Sequence, residues 1–360
     1  MADAMIDLSV NITPPIPDRA RFDEAWMRSG EEIAALPGAG LYHQNGTDEF
    51  RALIANWLEG IGVAASPGEI LLCGGAQQGL QIALGLSANH SKLVASEAAV
   101  YSGAAAAAQY HGCEWMPVVH DGEGMLPDAL ERVLARTPCR TVFTTSVCHN
   151  PLGFETGEAR RRDIVDMCRR HDAVLIEDDV YGFYAASPRS TYRQLAPERT
   201  WYVNSFSKSL TPLVRLGVLI PPPCQYSGTL RAIRAQFHGP APVSWALAGA
   251  LMQNGAAASM AEFLRAEAAE RMALVARHFP QAHLPMPGGA AHVWLPLSTD
   301  AARTTVEAAR EAGVAIMRTE AVAPDGAPAD GIRLSIMTPL DRADLDLALV
   351  RIAAILAAQA

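Results

Sequence analysis

The stretch of the sequence that says most about the fold is TWYVNSFSKSLTPLVRLGVLI, residues 200–220. It contains two apolar runs, TWYVNSF (200–206) and RLGVLI (215–220), which have the length of strands and no regular polar alternation. Runs of this kind are typical of strands buried on both faces of a sheet. Lys208 follows the first run, between two serines, in a chain that is poor in lysine. A cation at the end of a buried strand must be paired or neutralised, so Lys208 requires a specific explanation.

Five further apolar runs precede this stretch, separated by longer segments with helical spacing. Short buried strands that alternate with helices predict an α/β fold with a largely parallel sheet and crossover helices. Beyond it, residues 229–279 have an almost entirely helical pattern, followed by short strands and a last helix, which predicts a smaller α+β unit. The five runs are EILLC (69–73), KLVAS (92–96), EWMPVV (114–119), RTVFTTS (140–146) and AVLIE (173–177).

The composition excludes several classes of protein. Half of the 360 residues are hydrophobic and 19% are charged, which is typical of a well-buried globular enzyme. The net charge of −9 disfavours nucleic acid and anionic membrane as partners. With no apolar run of membrane-spanning length and no visible signal peptide, we expect a cytoplasmic protein. The six cysteines are scattered and no His/Cys cluster has metal-site spacing, so we expect reduced thiols and no metal.

Polar residues follow the apolar runs where each predicted strand ends. Ligands of open α/β sheets bind outside the carboxyl ends of the strands, so these residues are candidates for one site. The first run leads into the glycine-rich GGAQQG (74–79), which enters a helix and offers backbone N–H groups to an anion. The others are Tyr101 after KLVAS, Asn150 after RTVFTTS, Asp178, Asp179 and Tyr181 after AVLIE, and Ser205, Ser207, Lys208 and Arg215 around and beyond the end of TWYVNSF.

Each of these features has an ordinary explanation when it is taken alone. A glycine-rich turn is usually only a turn, an acidic pair is usually a helix cap or a solvated loop, and a lone tyrosine usually packs. Together they require one flat ligand with a phosphate, a basic ring nitrogen and an aldehyde, which is pyridoxal phosphate. A carboxylate would bind the ring nitrogen, and Lys208 would bind the aldehyde as a Schiff base. The phosphate would be bound by the amides of Gly75, Ala76 and Gln77 and by Ser205, Ser207 and Arg215.

The ordered set of motifs resembles the fold-type I, class I and II aminotransferase family, in particular the stand-alone relatives of the aminotransferase-like domain of MocR-type regulators. Their order and spacing match from about residue 40 to 340. The resemblance implies an aspartate-aminotransferase-like fold, with a mostly parallel seven-stranded sheet flanked by helices in the large domain. The motifs are LYHQNGTDEFRALIANWL (41–58), HNPLG (149–153), DDVY (178–181), SFSKSLTPLVR (205–215) and GIRLS (331–335).

The resemblance assigns the central chemistry to Lys208 and Asp178. Lys208 would hold the cofactor and then move a proton as general acid and base, which requires an amine whose pKa is lowered by partial burial and a nearby arginine. Asp178 would pair with the protonated ring nitrogen, because its spacing to Tyr181 fits the family better than that of Asp179. Asp179 would be a helix cap or would support the site without touching the ligand.

The resemblance also assigns the remaining contacts. Asn150 and Tyr181 would hydrogen-bond the phenolic oxygen of the cofactor, Tyr101 would stack on its ring, and Arg215 would bind its phosphate. Arg333 would clamp the substrate α-carboxylate together with Asn150, the alternative for Arg333 being a structural salt bridge.

Two further residues bear on assembly and substrate choice. Tyr42 would reach the phosphate of the neighbouring subunit, which implies a homodimer with a shared active site. His149 departs from the family pattern, and we expect it to be structural, the alternative being a role in substrate choice.

The domain organisation that follows is an N-terminal arm (1–40) associated with the small domain, a large cofactor-binding domain (41–240) and a small C-terminal domain (241–360). We expect an aminotransferase that passes the amino group of an α-amino acid to a 2-oxo acid with ping-pong kinetics. The alternatives are another pyridoxal-phosphate enzyme of specialised amino-acid metabolism (an oxidase, an elimination or cyclisation enzyme, a decarboxylase or a racemase) and a non-catalytic ligand-sensing module. We expect no DNA-binding module, because the first motif begins near residue 40 and the chain is acidic.

Overall fold

A computed structural model describes residues 5–36, 38, 45–185, 189–282, 284, 286, 289–319 and 330–359. Within these residues, no helix is both long enough and apolar enough to cross a membrane. The described strands are β1 (Ile6–Asp7), β2 (Leu71–Cys73), β3 (Leu93–Ser96), β4 (Glu114–Pro117), β5 (His120–Asp121), β6 (Gly124–Met125), β7 (Thr141–Thr144), β8 (Val174–Asp178), β9 (Thr200–Ser205), β10 (Gly217–Ile220), β11 (Val293–Pro296), β12 (Val314–Ala315), β13 (Met317–Thr319) and β14 (Gly331–Leu334).

Helices connect most of these strands, and several begin with a capping side chain. Thr47 caps the second helix by accepting a hydrogen bond from the Phe50 N–H at 3.1 Å, followed by acidic residues in the first turn. The helices are α1 (Arg19–Ala35), α2 (Asp48–Gly60), α3 (Ala76–Ser87), α4 (Ser102–Tyr110), α5 (Pro127–Arg136), α6 (Glu158–Arg170), α7 (Tyr192–Leu195), α8 (Phe206–Ser209), α9 (Tyr226–Phe237), α10 (Pro242–Gln253), α11 (Ala256–His278), α12 (Thr299–Glu311) and α13 (Arg342–Gln359).

All seven apolar runs of the sequence form strands of one seven-stranded sheet, with the order β2-β10-β9-β8-β7-β3-β4. Neighbouring strands from β9 to β4 are parallel, whereas β10 is antiparallel to both β2 and β9. The mostly parallel sheet predicted from the sequence is therefore confirmed. The carboxyl ends of β7, β8 and β9 lie at one edge of the sheet, which places the residues that follow them close together.

Both faces of this sheet are buried, as the uninterrupted apolar runs predict. Along β9, Trp201 and Val203 pack into a core shared with α3 and α4, whereas Tyr202 belongs to the core on the opposite face. The alternation follows from the two-residue period of a strand. Trp245 of α10 and Phe50 of α2 pack in the same core as Tyr202, with ring centroids 5.9 Å apart.

A smaller three-stranded antiparallel sheet, ordered β11-β14-β13, lies in the C-terminal part of the chain. Its central strand carries Arg333, opposite Trp294 on one side and Met317 on the other. Near the N-terminus, β1 pairs in parallel with β12, and α1 packs on α10. These contacts bring the first residues of the chain next to the predicted site. The domain boundaries at residues 40 and 240 stay a prediction.

Candidate active site

A cavity of about 430 Å³ at the carboxyl ends of β8 and β9 collects the predicted site residues. Tyr42 lies outside the described residues, so its predicted contact with a neighbouring subunit stays a prediction. In the described part of the chain, no group of three or more His, Cys, Asp or Glu side chains is arranged to hold a metal ion. The predicted residues that line the cavity are Gly75, Ala76, Gln77, Tyr101, Asn150, Asp178, Tyr181, Ser205, Ser207, Lys208, Arg215 and Arg333.

Lys208 lies in α8, a single helical turn that directly follows β9. The turn is fixed by Ser205, whose hydroxyl accepts a hydrogen bond from the Ser207 N–H at 3.2 Å. The Lys208 ammonium donates to the main-chain oxygen of Asn11 at 2.5 Å. Burial, followed by the nearby Arg333 and Arg215 guanidinium groups, lowers the pKa of Lys208 to about 8. At pH 7 about a tenth of this amine is therefore neutral and nucleophilic, far more than of an ordinary lysine, whose pKa is about 10.4.

Asp178, at the end of β8, places its carboxylate on the cavity wall. Burial raises its pKa to about 7, although the Val180 N–H, which donates to it at 3.4 Å, and Lys208 favour the charged form. A buried carboxylate with so little hydrogen bonding is strongly stabilised by a cationic partner in the cavity. Asp178 can therefore hold a protonated ring nitrogen.

The neighbouring Asp179 does not line this cavity, because successive side chains point in different directions. Its carboxylate accepts hydrogen bonds from Arg189 at 2.6 Å and from the Tyr202 hydroxyl at 2.8 Å. Asn204 donates to its main-chain oxygen at 2.8 Å. The acidic pair after β8 is thus divided between one side chain that faces the cavity and one that holds the sheet and its loops together.

One end of the cavity is suited to an anion. Gly75 has a φ of +82° and precedes α3, so the Ala76 and Gln77 N–H groups of the first turn have no intrahelical acceptors. A Cβ atom on Gly217 would lie 2.5 Å from the Gly75 carbonyl carbon, so only glycine in β10 allows this close approach. Arg215 lines the same end, and its guanidinium makes no ion pair or hydrogen bond with any described residue.

The two serines of the anion end differ in what their hydroxyl groups do. Besides accepting from Ser207, the Ser205 hydroxyl donates to the main-chain oxygen of Leu216 at 3.1 Å. It therefore holds the turn that carries Lys208, and its proton is already used. Ser207, whose hydroxyl makes no hydrogen bond within the described structure, can still donate into the cavity.

Tyr101, Asn150 and Tyr181 form the wall on which a flat ring could lie. A Cβ atom at position 103 would be 2.4 Å from the Tyr101 ring, so Gly103 makes room for it. The Asn150 side-chain oxygen accepts from Arg333 at 2.8 Å, which leaves the amide N–H groups of Asn150 to donate. The Tyr181 hydroxyl accepts from the Asn11 amide at 2.7 Å, and burial raises the pKa of this phenol, which therefore remains protonated.

Arg333 does not form the structural salt bridge considered as the alternative role. Its Nη1 donates to Asn150 and its Nη2 to the main-chain oxygen of Ser9 at 2.5 Å, while its Nε has no partner. No described carboxylate pairs with it, and burial lowers its pKa. A buried guanidinium held only by neutral oxygens is a strong binding site for a carboxylate.

His149 lies outside the cavity and is completely buried. Its ring stacks on Phe154, with centroids 4.3 Å apart, and its Nε2 lies 3.3 Å from the Glu97 carboxylate. Burial alone would raise the pKa of Glu97, but the His149 imidazole and the Thr144 hydroxyl, which donates at 2.8 Å, hold that pKa below its ordinary value. These contacts support a structural role for His149.

The N-terminal strap, which we define as residues 8–13, was not predicted from the sequence. Its Ser9 and Asn11 carbonyl groups contact Arg333 and Lys208, and its Thr13 hydroxyl donates to the Ser207 main-chain oxygen at 2.9 Å. The strap sequence LSVNIT alternates apolar and polar residues, but Val10 and Ile12 are exposed and most of its contacts use the main chain, so the alternation does not identify it as part of the site. Ser102, Val180 and Met317 are further wall residues that the sequence did not indicate.

The family assignment agrees with this geometry. Residues 3–352 match the family model for aminotransferase class I and II, and the chain therefore belongs to this family. Among solved structures, LysN, an alpha-aminoadipate aminotransferase from Thermus thermophilus, superposes with a TM-score of 0.87 at 23% identity, covering 99% of this chain and 93% of LysN. An aspartate aminotransferase from Thermus thermophilus gives a TM-score of 0.81 at 19% identity, covering 98% of this chain and 92% of that chain. These likenesses establish an aspartate-aminotransferase-like fold.

Curated relatives include both regulators and an enzyme. The regulator of pyridoxine biosynthesis PdxR of Corynebacterium glutamicum is 30% identical over 275 residues, which are 75% of this chain and 57% of PdxR. A 2-aminoadipate transaminase of Thermus thermophilus is 30% identical over 179 residues, 48% of this chain and 44% of that enzyme. The uncharacterised regulator YjiR of Escherichia coli is 31% identical over 175 residues, 48% of this chain and 37% of YjiR. This chain thus spans between about a third and three-fifths of the length of these relatives.

Pyridoxal phosphate is the cofactor that this family implies, and the residues of the cavity fit it. In the described part of the chain, neither the carboxylate of Asp178 nor the guanidinium of Arg215 forms an ion pair, and the glycine-bordered start of α3 leaves N–H groups free for a phosphate. The amine of Lys208 is close enough to both ends for Arg215 and Asp178 to act on its pKa. A ligand with an anionic end, a cationic ring nitrogen and an aldehyde would pair with the anion site, with Asp178 and with Lys208, respectively.

The contrast between the adjacent aspartates gives a test of the site. Replacement Asp178→Ala should lower kcat/KM about 100-fold or more, roughly 3 kcal/mol of transition-state stabilisation, with little change in the melting temperature. Asp179→Ala should instead lower the melting temperature, because it leaves the buried Arg189 without its carboxylate. Steady-state kinetics and thermal denaturation measure the two effects. Near-normal turnover of Asp178→Ala would show that another carboxylate holds the ring nitrogen.

The lowered pKa of Lys208 gives a test of pH dependence. The neutral amine attacks the aldehyde, so the rate of cofactor uptake by the apoprotein should rise with pH and level off above a midpoint near 8. Arg333→Gln removes a neighbouring cation, so it should raise the pKa of Lys208 and move the midpoint to higher pH. Stopped-flow absorbance measures the rate, and exposed Arg303→Gln serves as the control. A midpoint that stays fixed in Arg333→Gln would contradict the electrostatic coupling.

Proposed function

We propose that this protein is a pyridoxal-phosphate-dependent aminotransferase that passes the amino group of an α-amino acid to a 2-oxo acid with ping-pong kinetics. One observation carries the proposal: the cavity that contains the partly buried amine of Lys208 also contains a guanidinium, Arg333, that has no described carboxylate partner. The first group suits an aldehyde cofactor and the second suits a substrate α-carboxylate. Membership of the aminotransferase family and the similarity to a 2-aminoadipate transaminase support it.

Each residue of the cavity has a defined task in this proposal. Arg333 and Asn150 bind the substrate carboxylate, and the Ser9 carbonyl gives up its hydrogen bond from Arg333 when the carboxylate arrives. Lys208 would act as the general base that removes the proton from the substrate Cα and would hold that proton as the corresponding general acid. Asp178 holds the proton on the ring nitrogen. When bound, the cofactor supplies a conjugated ring that accepts the electron pair of the broken Cα–H bond.

A second candidate is a ligand-sensing module that binds cofactor and amino acid without turnover. The similarity to the regulators PdxR and YjiR favours it. Against it stands the complete set of Lys208, Asp178 and Arg333 in one cavity, because sensing alone does not require a proton-transfer base beside a substrate clamp.

We propose further that the chain forms a homodimer in the cytoplasm, with Tyr42 of one subunit contacting the phosphate bound to the other. The placement of Arg215 and the start of α3 around an anion site supports a phosphate at that position. Sedimentation velocity of the holoprotein measures the association state, and a monomer with full activity would contradict a shared site.

Amino-acid binding by Arg333 gives the test of the proposed function. Mixing the holoprotein with single amino acids should convert the bound cofactor stoichiometrically to its amine form, and a 2-oxo acid should restore the original absorbance. Arg333→Gln should raise KM for the amino acid at least about 10-fold, because a charged hydrogen bond contributes roughly 1.5–3 kcal/mol, whereas Arg303→Gln should not.

Oxygen uptake is recorded in the same experiment, because sustained consumption with one amino acid would indicate an oxidase instead. Binding of amino acids without any conversion would support the sensing module.

A further inference from the structure

The side-chain amide of Asn11 lies between two buried aromatic rings at the back of the cavity. Its Nδ2 is 2.7 Å from the Tyr181 hydroxyl oxygen and 3.0 Å from Nδ1 of His292. Asn11 is 8% exposed and His292 only 1%, so water does not compete freely for these contacts. An amide nitrogen carries two hydrogens, and this geometry uses both of them.

The tautomer of His292 determines the direction of these hydrogen bonds. Its Nε2 lies 3.0 Å from the main-chain oxygen of His149, which can only accept, so Nε2 carries the hydrogen. Burial, followed by Arg333, lowers the pKa of His292 to about 3, so the ring is neutral and Nδ1 is an acceptor. The Asn11 amide must therefore present its NH₂ group to Nδ1, and its second hydrogen then reaches Tyr181.

The Tyr181 hydroxyl accepts a hydrogen bond from Asn11, which fixes where its own proton can go. Among the described residues, no second hydrogen-bond partner contacts this hydroxyl. The phenol remains protonated, as its raised pKa requires, and Tyr181 lines the cavity. Its proton is thus free to be donated to a ligand oxygen in the cavity.

We propose that Asn11 and His292 are positioning residues that fix Tyr181 as a hydrogen-bond donor to the phenolic oxygen of the cofactor. The proposal rests on the cofactor site of the proposed function and adds a second layer of residues to it. A donor to that oxygen stabilises its anion and so lowers the pKa at which the bound cofactor loses its proton. The relay runs from the His149 carbonyl through His292 and Asn11 to Tyr181.

Other groups that face Tyr181 do not provide this donor. His292 meets its ring edge-on at 5.7 Å, and Tyr184 lies at 6.4 Å. Cys148, Arg333 and Asp178 act on it electrostatically, without a hydrogen bond to its hydroxyl. The Cys148 sulfur is 3.7 Å from His292 Nδ1, but a thiol is a weak donor compared with an amide N–H.

Absorbance titration of the holoprotein tests the relay through the pKa of the bound cofactor. Asn11→Leu removes the side-chain amide but keeps the main-chain oxygen that contacts Lys208. We expect this variant to raise the midpoint pH of the cofactor's absorbance change by on the order of half to one pH unit. His292→Leu should shift it in the same direction. Ile12→Ala is the matched control in the same strap, because the Ile12 side chain is exposed and does not line the cavity, so this variant should leave the midpoint unchanged.

A double-mutant cycle shows whether Asn11 acts through Tyr181. If it does, adding Asn11→Leu to Tyr181→Phe should shift the midpoint no further than Tyr181→Phe alone. An additive shift, or an unchanged midpoint in Asn11→Leu, would overturn the proposal. Asn11→Asp, which keeps the shape but cannot donate when ionised, replaces Asn11→Leu if the latter does not fold.

Nitrogen NMR of the unmutated apoprotein, labelled at histidine, tests the relay without cofactor or activity. We expect the His292 signal of a neutral ring with hydrogen on Nε2, unchanged between pH values of about 6 and 8. The opposite tautomer, or titration in this range, would refute the assigned directions. If the NMR result holds and no cofactor binds, the proposed function fails while the hydrogen-bond relay stands.

Discussion

The partial burial of the Lys208 ammonium near two guanidinium groups is the constraint on which the site depends. Among the described residues, three cations, Lys208, Arg215 and Arg333, line one cavity with a single carboxylate, that of Asp178. Arg333 is buried, Lys208 is half-buried and Arg215 is exposed at the cavity rim, and like charges held this close are unfavourable unless anions bind between them. A phosphate at Arg215 and a carboxylate at Arg333 supply those anions, and the same crowding lowers the pKa of the lysine that the chemistry needs. The same group of neighbouring cations thus attracts the anionic ligands and makes Lys208 reactive.

The N-terminal strap supplies neutral hydrogen-bond acceptors to two of these cations. The main-chain oxygens of Ser9 and Asn11 accept hydrogen bonds from Arg333 and Lys208, and carbonyl oxygens can solvate a cation without neutralising it. The strap is held in place by pairing of β1 with β12 and by Thr338, whose hydroxyl donates to the Val10 main-chain oxygen. The start of the chain therefore closes a site whose reactive residues come from the middle of the sequence.

The sheet was predictable from the sequence because strands buried on both faces require continuous apolar runs, and all seven runs became its strands. The carboxyl ends of the six strands other than β10 share one edge, so the polar residues after them meet in one cavity, and Arg215 joins them from the amino end of β10. The direction of β10 is set by chain length: only 11 residues separate it from β9, too few for a parallel crossover. Asn11 and His292 could not be found in the sequence, because one acts partly through main-chain atoms and the other resembles an ordinary buried histidine.

Reductive trapping of the cofactor tests the central claim most directly, because the chain contains only two lysines, Lys92 and Lys208. Lys92 is a built-in control, since its amine donates to the His111 main-chain oxygen on the surface. Borohydride treatment of the holoprotein, followed by peptide mass spectrometry, should place the pyridoxyl phosphate mass on Lys208 alone. The same mass on Lys92, or an unmodified Lys208 in protein that retains the cofactor, would contradict the account.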